Sequence, residues 1–443
     1  MKNEIIYLKR DIDSELYAWR NEPRHKPLLL RGARQVGKSS AVRNLAREFD
    51  YFLEVNFEEQ ADTKRIFDRG NLSPQVICEK LTAQYDIPVI PGKTLLFLDE
   101  IQECIPAISS LRFFYEKMSD LHVIAAGSLL EFALGELPSF GVGRIRSMFM
   151  YPFSFYEFLN ACGHNLMLKA IQNANVNEPL DEVIHKRALY QLKLFLIMGG
   201  MPEVVATYAA EKDLYKCQRV LDDLMISLRN DFTKYKKRVP SLQISAAFNS
   251  VIEQTGRKFV YSRTGQEYSL YQMKQAVELL IMAGLVIPVV HTAANGLPLG
   301  AEINHKRRKM LLLDTGLLQR LLGLQLSDIL MSDDFDFVNK GNIAELYVGL
   351  ELLKSVSCYE QTQLYYWQRE EKNSHAEVDY IVQRDQEIVP VEVKSGKQGK
   401  MQSLYLFLTE KNIPSGVRTS LENYSQYGKI HVIPLYAAAE LIK

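Results

Sequence analysis

Residues Gly32-Ala33-Arg34-Gln35-Val36-Gly37-Lys38-Ser39 decide how the N-terminal third of this chain folds. The spacing is G-x-x-x-x-G-K-[ST]. Two glycines let such a loop wrap with its backbone N–H groups turned inward toward phosphate oxygens. Lys38 supplies a point charge for the β- and γ-phosphates, and the Ser39 hydroxyl is a magnesium ligand. The flanks agree with this reading. Leu28-Leu29-Leu30 is a short apolar strand ahead of the loop, and Ser40 to Phe49 reads as a helix with Val42, Leu45 and Phe49 on one side. The N-terminus of that helix adds partial positive charge beneath the phosphates. The stretch from Gly32 through Ala33, Arg34, Gln35, Val36, Gly37, Lys38 and Ser39 to Ser40 is therefore expected to hold ATP, with Mg2+ on Ser39.

Working outward, Leu95-Leu96-Phe97-Leu98 is a continuous apolar run of the kind found in a buried parallel strand, and it ends in Asp99-Glu100. A carboxylate at that tip can hold magnesium, which assigns Asp99 as the second metal ligand. Glu100 is then the expected general base for the attacking water. A third strand, His122 to Ala126, leads to Gly127-Ser128, where the Ser128 hydroxyl can touch the γ-phosphate or serve as a turn residue. Arg144 and Arg146 precede an aromatic stretch. Each is a candidate arginine finger, in the same chain or in a neighbour, and otherwise a surface residue. A finger given in trans requires a homo-oligomer. Strands alternating with helices predict an α/β doubly wound domain over residues 1–150.

Composition narrows the class. Lys+Arg and Asp+Glu both number 53 in 443 residues, so the whole chain carries no polyanion-binding excess. The start lacks the apolar stretch of a signal peptide, and no apolar run is long enough for a membrane span. Five scattered cysteines with no C-x-x-C pair fit reduced thiols, and a cytoplasmic setting is expected.

Residues 151–240 read as a helical lid, broken sharply at Gly199-Gly200-Met201-Pro202-Glu203. The run Arg229 to Arg238 reads as a solvated charge run. Residues 241–325 change grammar: helices at Leu242–Gln254 and Leu270–Met282, a strand at Gly284–Val290, a turn-rich segment, and a returning strand at Lys309–Leu313. Helices followed by a hairpin is the order of a winged helix. Lys306-Arg307-Arg308-Lys309 on the returning strand suits phosphate contacts to double-stranded DNA, although winged helices also serve as packing modules.

In residues 335–443, Glu377-Val378-Asp379-Tyr380-Ile381-Val382 and Ile388-Val389-Pro390-Val391-Glu392-Val393-Lys394 read as a hairpin. Strand alternation places Glu392 and Lys394 on one face. With Asp379 alongside, two carboxylates suit Mg2+ or Mn2+, Lys394 can stabilise charge on phosphate, and Glu345 from a preceding helix is a further candidate ligand. This is the D…(D/E)-x-K pattern of restriction-endonuclease-like nucleases, which makes Asp379, Glu392 and Lys394 candidate catalytic residues.

The chain as a whole resembles a large bacterial and archaeal group of AAA+ ATPases. The resemblance is carried by the phosphate loop with Arg31, Leu98-Asp99-Glu100-Ile101-Gln102, Gly127-Ser128, Gly143-Arg144, Pro152 to Leu159, Gly199 to Glu203 and Glu392-Val393-Lys394. It implies an α/β protein with a P-loop AAA+ domain, a helical lid, a winged helix and a C-terminal α/β restriction-endonuclease-like domain of the PD-(D/E)xK kind. It departs only in Ser39, where threonine is common, and both residues offer magnesium a hydroxyl. Two functional readings follow: an ATP-dependent enzyme acting on DNA, or a regulatory ATPase switch whose C-terminal domain is a non-catalytic binding module.

Overall fold

The computed structural model describes residues 7–67, 72–136, 143–235, 239–263, 268–326, 341–369, 376–396 and 401–442. The end of the 229–238 charge run, the start of the expected 335–443 domain and the stretch after Gly396 lie outside them. The chain divides into two compact units. Unit 1 is Met1–Tyr151 with Met282–Gly284 and Ser357–Gln361, and unit 2 is the remainder.

Unit 1 is built on a parallel sheet of β1 (Leu28–Arg31), β2 (Tyr51–Asn56), β3 (Thr94–Asp99), β4 (His122–Ala126) and β5 (Arg146–Phe149), in the order β2-β3-β4-β1-β5. Helices α1 (Ile12–Arg20), α2 (Lys38–Leu45), α3 (Pro74–Tyr85), α4 (Ile105–Lys117) and α5 (Leu130–Glu136) connect and cover it. Every residue of β3 and β4 is buried, which is why both read as unbroken apolar runs rather than as alternation. Leu96, Leu98, Val123 and Ala125 pack on Ile77, Leu81, Ile108, Leu111 and Phe114 of α3 and α4. Because β3, β4 and β1 are parallel neighbours, the tips of β3 and β4 and the loop after β1 share the carboxyl edge of the sheet, where open α/β sheets bind ligands.

At the other edge, His122 stacks on His25 with ring centroids 3.7 Å apart, edge-on to Trp19 and Phe49. One His122 ring nitrogen, Nε2, meets the Arg20 carbonyl at 2.9 Å, while Nδ1 is buried without a partner. Burial, followed by the neighbouring His25, pushes the His122 pKa down to about 4.

Unit 2 opens with helices α6 (Phe155–Ala161), α7 (Asn165–Asn173), α8 (Glu182–Met198), α9 (Pro202–Glu211), α10 (Leu214–Asp231), α11 (Ser241–Gln254) and α12 (Leu270–Met282, whose last residue falls in unit 1). Ser154 and Glu157 form a reciprocal capping box at the start of α6. The Gly199-Gly200 break has a specific partner. The buried carboxylate of Asp314 accepts the Gly200 N–H at 2.6 Å and the Leu317 N–H at 2.9 Å. It thereby fixes the end of α8 to the start of α13 (Thr315–Leu321).

Strands β6 (Val286–Thr292) and β7 (Ile303–Leu312) form the antiparallel hairpin expected of a wing. Residues ahead of it also join: Lys258 bridges to Lys309, and Phe259 N–H donates to the Arg308 carbonyl at 2.8 Å. The hairpin is not a free wing, however. After helix α14 (Gly341–Lys354), strand β8 (Leu364–Gln368) pairs in parallel with β6, and the sheet continues through β9 (Glu377–Arg384) and β10 (Glu387–Val393). Helix α15 (Gln402–Glu410) follows, then β11 (Gly416–Ser420), β12 (Ser425–Tyr427) and β13 (Ile430–Pro434). The result is one eight-stranded sheet in the order β12-β13-β11-β10-β9-β8-β6-β7, shared by segments that the sequence divides at about residue 330. Among the described residues no helix is long and apolar enough to cross a membrane, and all five cysteines are free thiols.

A buried imidazole whose pKa is depressed stabilises the fold above its unfolded value and loses that contribution as pH falls through its folded value. The melting temperature should therefore drop as pH is lowered from the ordinary 6.5 toward about 4, and thermal melts of His122→Phe should show a shallower slope across that window than the parent chain.

Candidate functional site

The phosphate loop leaves β1 under tight constraint. Arg31 at the strand end pairs with Glu131 of α5 and lies 4.7 Å from the Phe149 ring centroid. Gly32, with φ of +146°, passes so close to the neighbouring backbone that a Cβ there would sit 2.1 Å from the Met150 carbonyl oxygen. Lys38 opens α2, and its buried ammonium turns back across the loop to donate to the carbonyls of Gly32 (2.9 Å) and Ala33 (2.8 Å). Burial lowers its pKa to about 8 against the opposing pull of Glu100 and Asp99. Ser39 Oγ donates to Asp99 Oδ2 at 2.7 Å, so the first-turn hydroxyl and the β3-tip carboxylate converge on one point. Burial raises the Asp99 pKa. This donor set fits magnesium: one hydroxyl and one carboxylate from adjacent elements, with a lysine beside them. Arg34 reaches Glu58 at 3.3 Å, Gln35 and Ser40 are exposed, and Ala33 and Val36 are buried in the loop's inner face.

Glu100 follows Asp99 in a left-handed conformation, φ +49°, which turns its side chain back along the carboxyl edge. Its Oε2 accepts Gln102 Nε2 at 2.6 Å and Ser128 Oγ at 3.3 Å. Gly127 makes that arrangement sterically feasible, since a Cβ there would lie 2.1 Å from Gln102 Oε1. Two polar side chains thus hold the carboxylate expected to be the base.

Three residues matter in ways the sequence reading missed or misplaced. Arg10, buried ahead of α1, donates to the Val36 carbonyl of the phosphate loop at 3.1 Å and to the Tyr151 carbonyl at 2.8 Å, and Asp13 accepts its backbone N–H. Nothing local marked it, because an arginine in an N-terminal segment is ordinary. Arg144 and Arg146, the candidate fingers, both have acidic partners. Arg146 stands opposite Leu28 at the start of β1, about 13 Å of strand away from the phosphate loop, and it pairs with Glu22 at 2.6 Å. Arg144 pairs with Glu116 at the end of α4. Neither is brought to the phosphate loop of its own chain.

The C-terminal candidates form a second cluster inside unit 2. Asp379 Oδ2 accepts the Val393 N–H at 2.8 Å, and Glu392 Oε1 pairs with Lys394 Nζ at 2.6 Å. Burial first, then Asp379, raises the Glu392 pKa to about 7. Asp379, Glu392 and Lys394 are thus brought together. The Glu345 carboxyl accepts from Lys309 Nζ through Oε1 at 2.7 Å. Lys309, read from sequence as a phosphate-contacting wing residue, is completely buried, and Arg308 pairs with Glu278 at 2.6 Å. Among the described residues no group of three or more His, Cys, Asp or Glu side chains is arranged to hold a metal. Where Glu345, Asp379 and Glu392 were expected to hold a metal, the Lys309 ammonium stands beside Glu345 and Asp379.

The parallel sheet, the loop–helix cradle and the Ser39–Asp99 pair define unit 1 as a P-loop nucleotide-binding domain. Residues 24–159 match the family model of the AAA domain, which makes this an AAA-type ATPase domain that binds ATP. Residues 189–328 and 340–438 match two domains of unknown function, DUF8612 and DUF4143. No curated protein matches the chain. Solved structures with some likeness include a Walker-type ATPase of Pyrococcus abyssi, at 14% identity and a TM-score of 0.45, over 71% of this chain and 96% of that one. The Aeropyrum pernix ORC1 protein in complex with DNA aligns at 13% identity and a TM-score of 0.31, over 75% and 95%. Drosophila ORC bound to DNA aligns at 14% and 0.25, over 70% and 94%. All three scores fall below 0.5, too low to transfer a partner or an activity.

Removing the Arg10 guanidinium strips a donor from the Val36 carbonyl and loosens the loop. Arg10→Ala should raise the dissociation constant for ATP about ten-fold, roughly 1.4 kcal/mol, as read by calorimetry. An unchanged constant would confine Arg10 to stability.

Proposed function

We propose that this chain is a magnesium-dependent ATP hydrolase that works as a conformational switch, with its C-terminal part acting as a binding module rather than as a nuclease. The observation that carries the first half is the convergence of Ser39, Asp99, Lys38 and Glu100 on one edge of the sheet. Magnesium held by Ser39 and Asp99 supplies charge neutralisation of the phosphates. Lys38 exchanges its loop carbonyls for phosphate oxygens. Glu100 accepts the proton of the water that attacks the γ-phosphorus as the bond to the bridging oxygen of ADP breaks. Gln102 and Ser128 orient the Glu100 carboxylate for that step. Arg144 enters only as a finger given to a neighbouring copy, which requires a homo-oligomer.

Double-stranded DNA is the partner to test for the second unit. Lys306 is exposed on β7 beside partly exposed Arg307, the arrangement that supports phosphate contact through a winged helix. The rival reading, metal-dependent DNA cleavage by Asp379, Glu392 and Lys394, has their convergence in its favour.

Lys38→Ala should abolish ATP binding. Glu100→Gln should bind ATP with near-unchanged affinity while turnover falls roughly 10²- to 10⁴-fold. Loss of binding in both, or turnover persisting in Glu100→Gln, would refute the assigned base. Supercoiled plasmid incubated with Mg2+ or Mn2+, with and without ATP, separates the two readings of the second unit. Intact plasmid in every arm fits the binding module, and cleavage lost in Asp379→Ala establishes the nuclease.

A further inference from the structure

We infer that Lys309 is a tethered cation, filling within the C-terminal carboxylate cluster the place a divalent metal would take. The cluster draws on four elements. Lys309 comes from β7, Glu345 from α14, Glu377 and Asp379 from β9, and Glu392 from β10. The lysine ammonium is fully buried. It lies 2.7 Å from Glu345 Oε1, 2.5 Å from Glu377 Oε1 and 3.8 Å from Asp379 Oδ1, and 5.1 Å from the centroid of the Tyr366 ring.

An ammonium carries three donors and no acceptor, and here it faces three carboxylates and an aromatic ring, a nearly complete coordination shell for a compact cation. Burial opposes its charge, yet Glu345, Asp379 and Glu377 outweigh that and raise its pKa well above the ordinary range, so it stays an ion. Burial pushes the Glu345 carboxyl up to about 8. The oxygens a metal would need are largely taken: Asp379 Oδ2 by the Val393 N–H and Glu392 Oε1 by Lys394. Glu392 Oε2 is buried without a hydrogen-bond partner. A divalent ion entering this space would meet a buried positive charge a few ångströms away in a medium of low dielectric, and the two repel.

The lysine also acts mechanically. It ties the edge strand β7 to α14 and β9 across the face of the sheet, a link a free metal would supply only when bound. The inference goes beyond the ATP hydrolase reading and does not depend on it, since ATP turnover is read at Glu100.

The test is Mn2+ binding followed by electron paramagnetic resonance on the full chain, comparing the parent with Asp379→Asn and Lys309→Met, alone and combined. The parent should show no Mn2+ that Asp379→Asn removes, whether or not ATP is present. Lys309→Met should gain one Mn2+ site that is lost again in the double variant, and Lys309→Arg should gain none. Should Lys309→Met fold only when Mn2+ is supplied, as read by circular dichroism, the metal is replacing the ammonium and the inference holds. Asp379-dependent Mn2+ in the parent would overturn it. So would a folded Lys309→Met, or the milder Lys309→Gln, that acquires no site.

Discussion

The parallel pairing of β6 with β8, which sets Val289 opposite Leu364, governs the second unit. A hairpin that would otherwise end a helical segment becomes the edge of an eight-stranded sheet. That single pairing puts β7 in the same sheet as β9, the strand bearing both Glu377 and Asp379, with β8 and β6 between them, and packs it against the helix bearing Glu345. Parallel pairing needs a long crossover, supplied here by α13, α14 and the chain between β7 and β8. No local sequence pattern announces which distant strand a hairpin will join.

The buried ammonium of Lys309 follows from that topology. A lone lysine in a dry interior is strongly disfavoured, and a lone cluster of carboxylates equally so. Placed together they compensate one another. The same residues, read along the chain, suggest a basic wing touching DNA and an acidic site holding metal. Folded, each satisfies the other, and both surface functions lose a participant. The carboxylate–lysine pattern of β9 and β10 is real, as Glu392 beside Lys394 and Asp379 shows, but its electrostatic setting differs from the one the motif implies.

The first unit shows the opposite behaviour. Its candidate ligand-binding residues sit on two strand tips and one loop whose geometry the local sequence almost fully specifies. Gly32 must pass the Met150 carbonyl, Ser39 must sit in the first turn of the helix, and Asp99 must end a buried strand. The support around them is less local. Gln102 reaches Glu100 past residue 127, at the neighbouring strand's end, which has no Cβ to crowd it, and Arg10 reaches Val36 across the start of the domain.

The sequence by itself determined the phosphate cradle, the pair Asp99-Glu100, the alternation of strands and helices before residue 150, and the hairpin from Glu377 to Val393. Each of these is encoded in contiguous residues through period, spacing or backbone demand. Tertiary structure alone decided that Arg144 and Arg146 stand at the edge opposite the phosphates, that Arg10 braces the loop, that the hairpin of β6 and β7 extends a larger sheet, and that Lys309 lies among carboxylates. The reason is physical. Strand order and cross-element burial set those positions, and they depend on contacts between residues far apart in the chain.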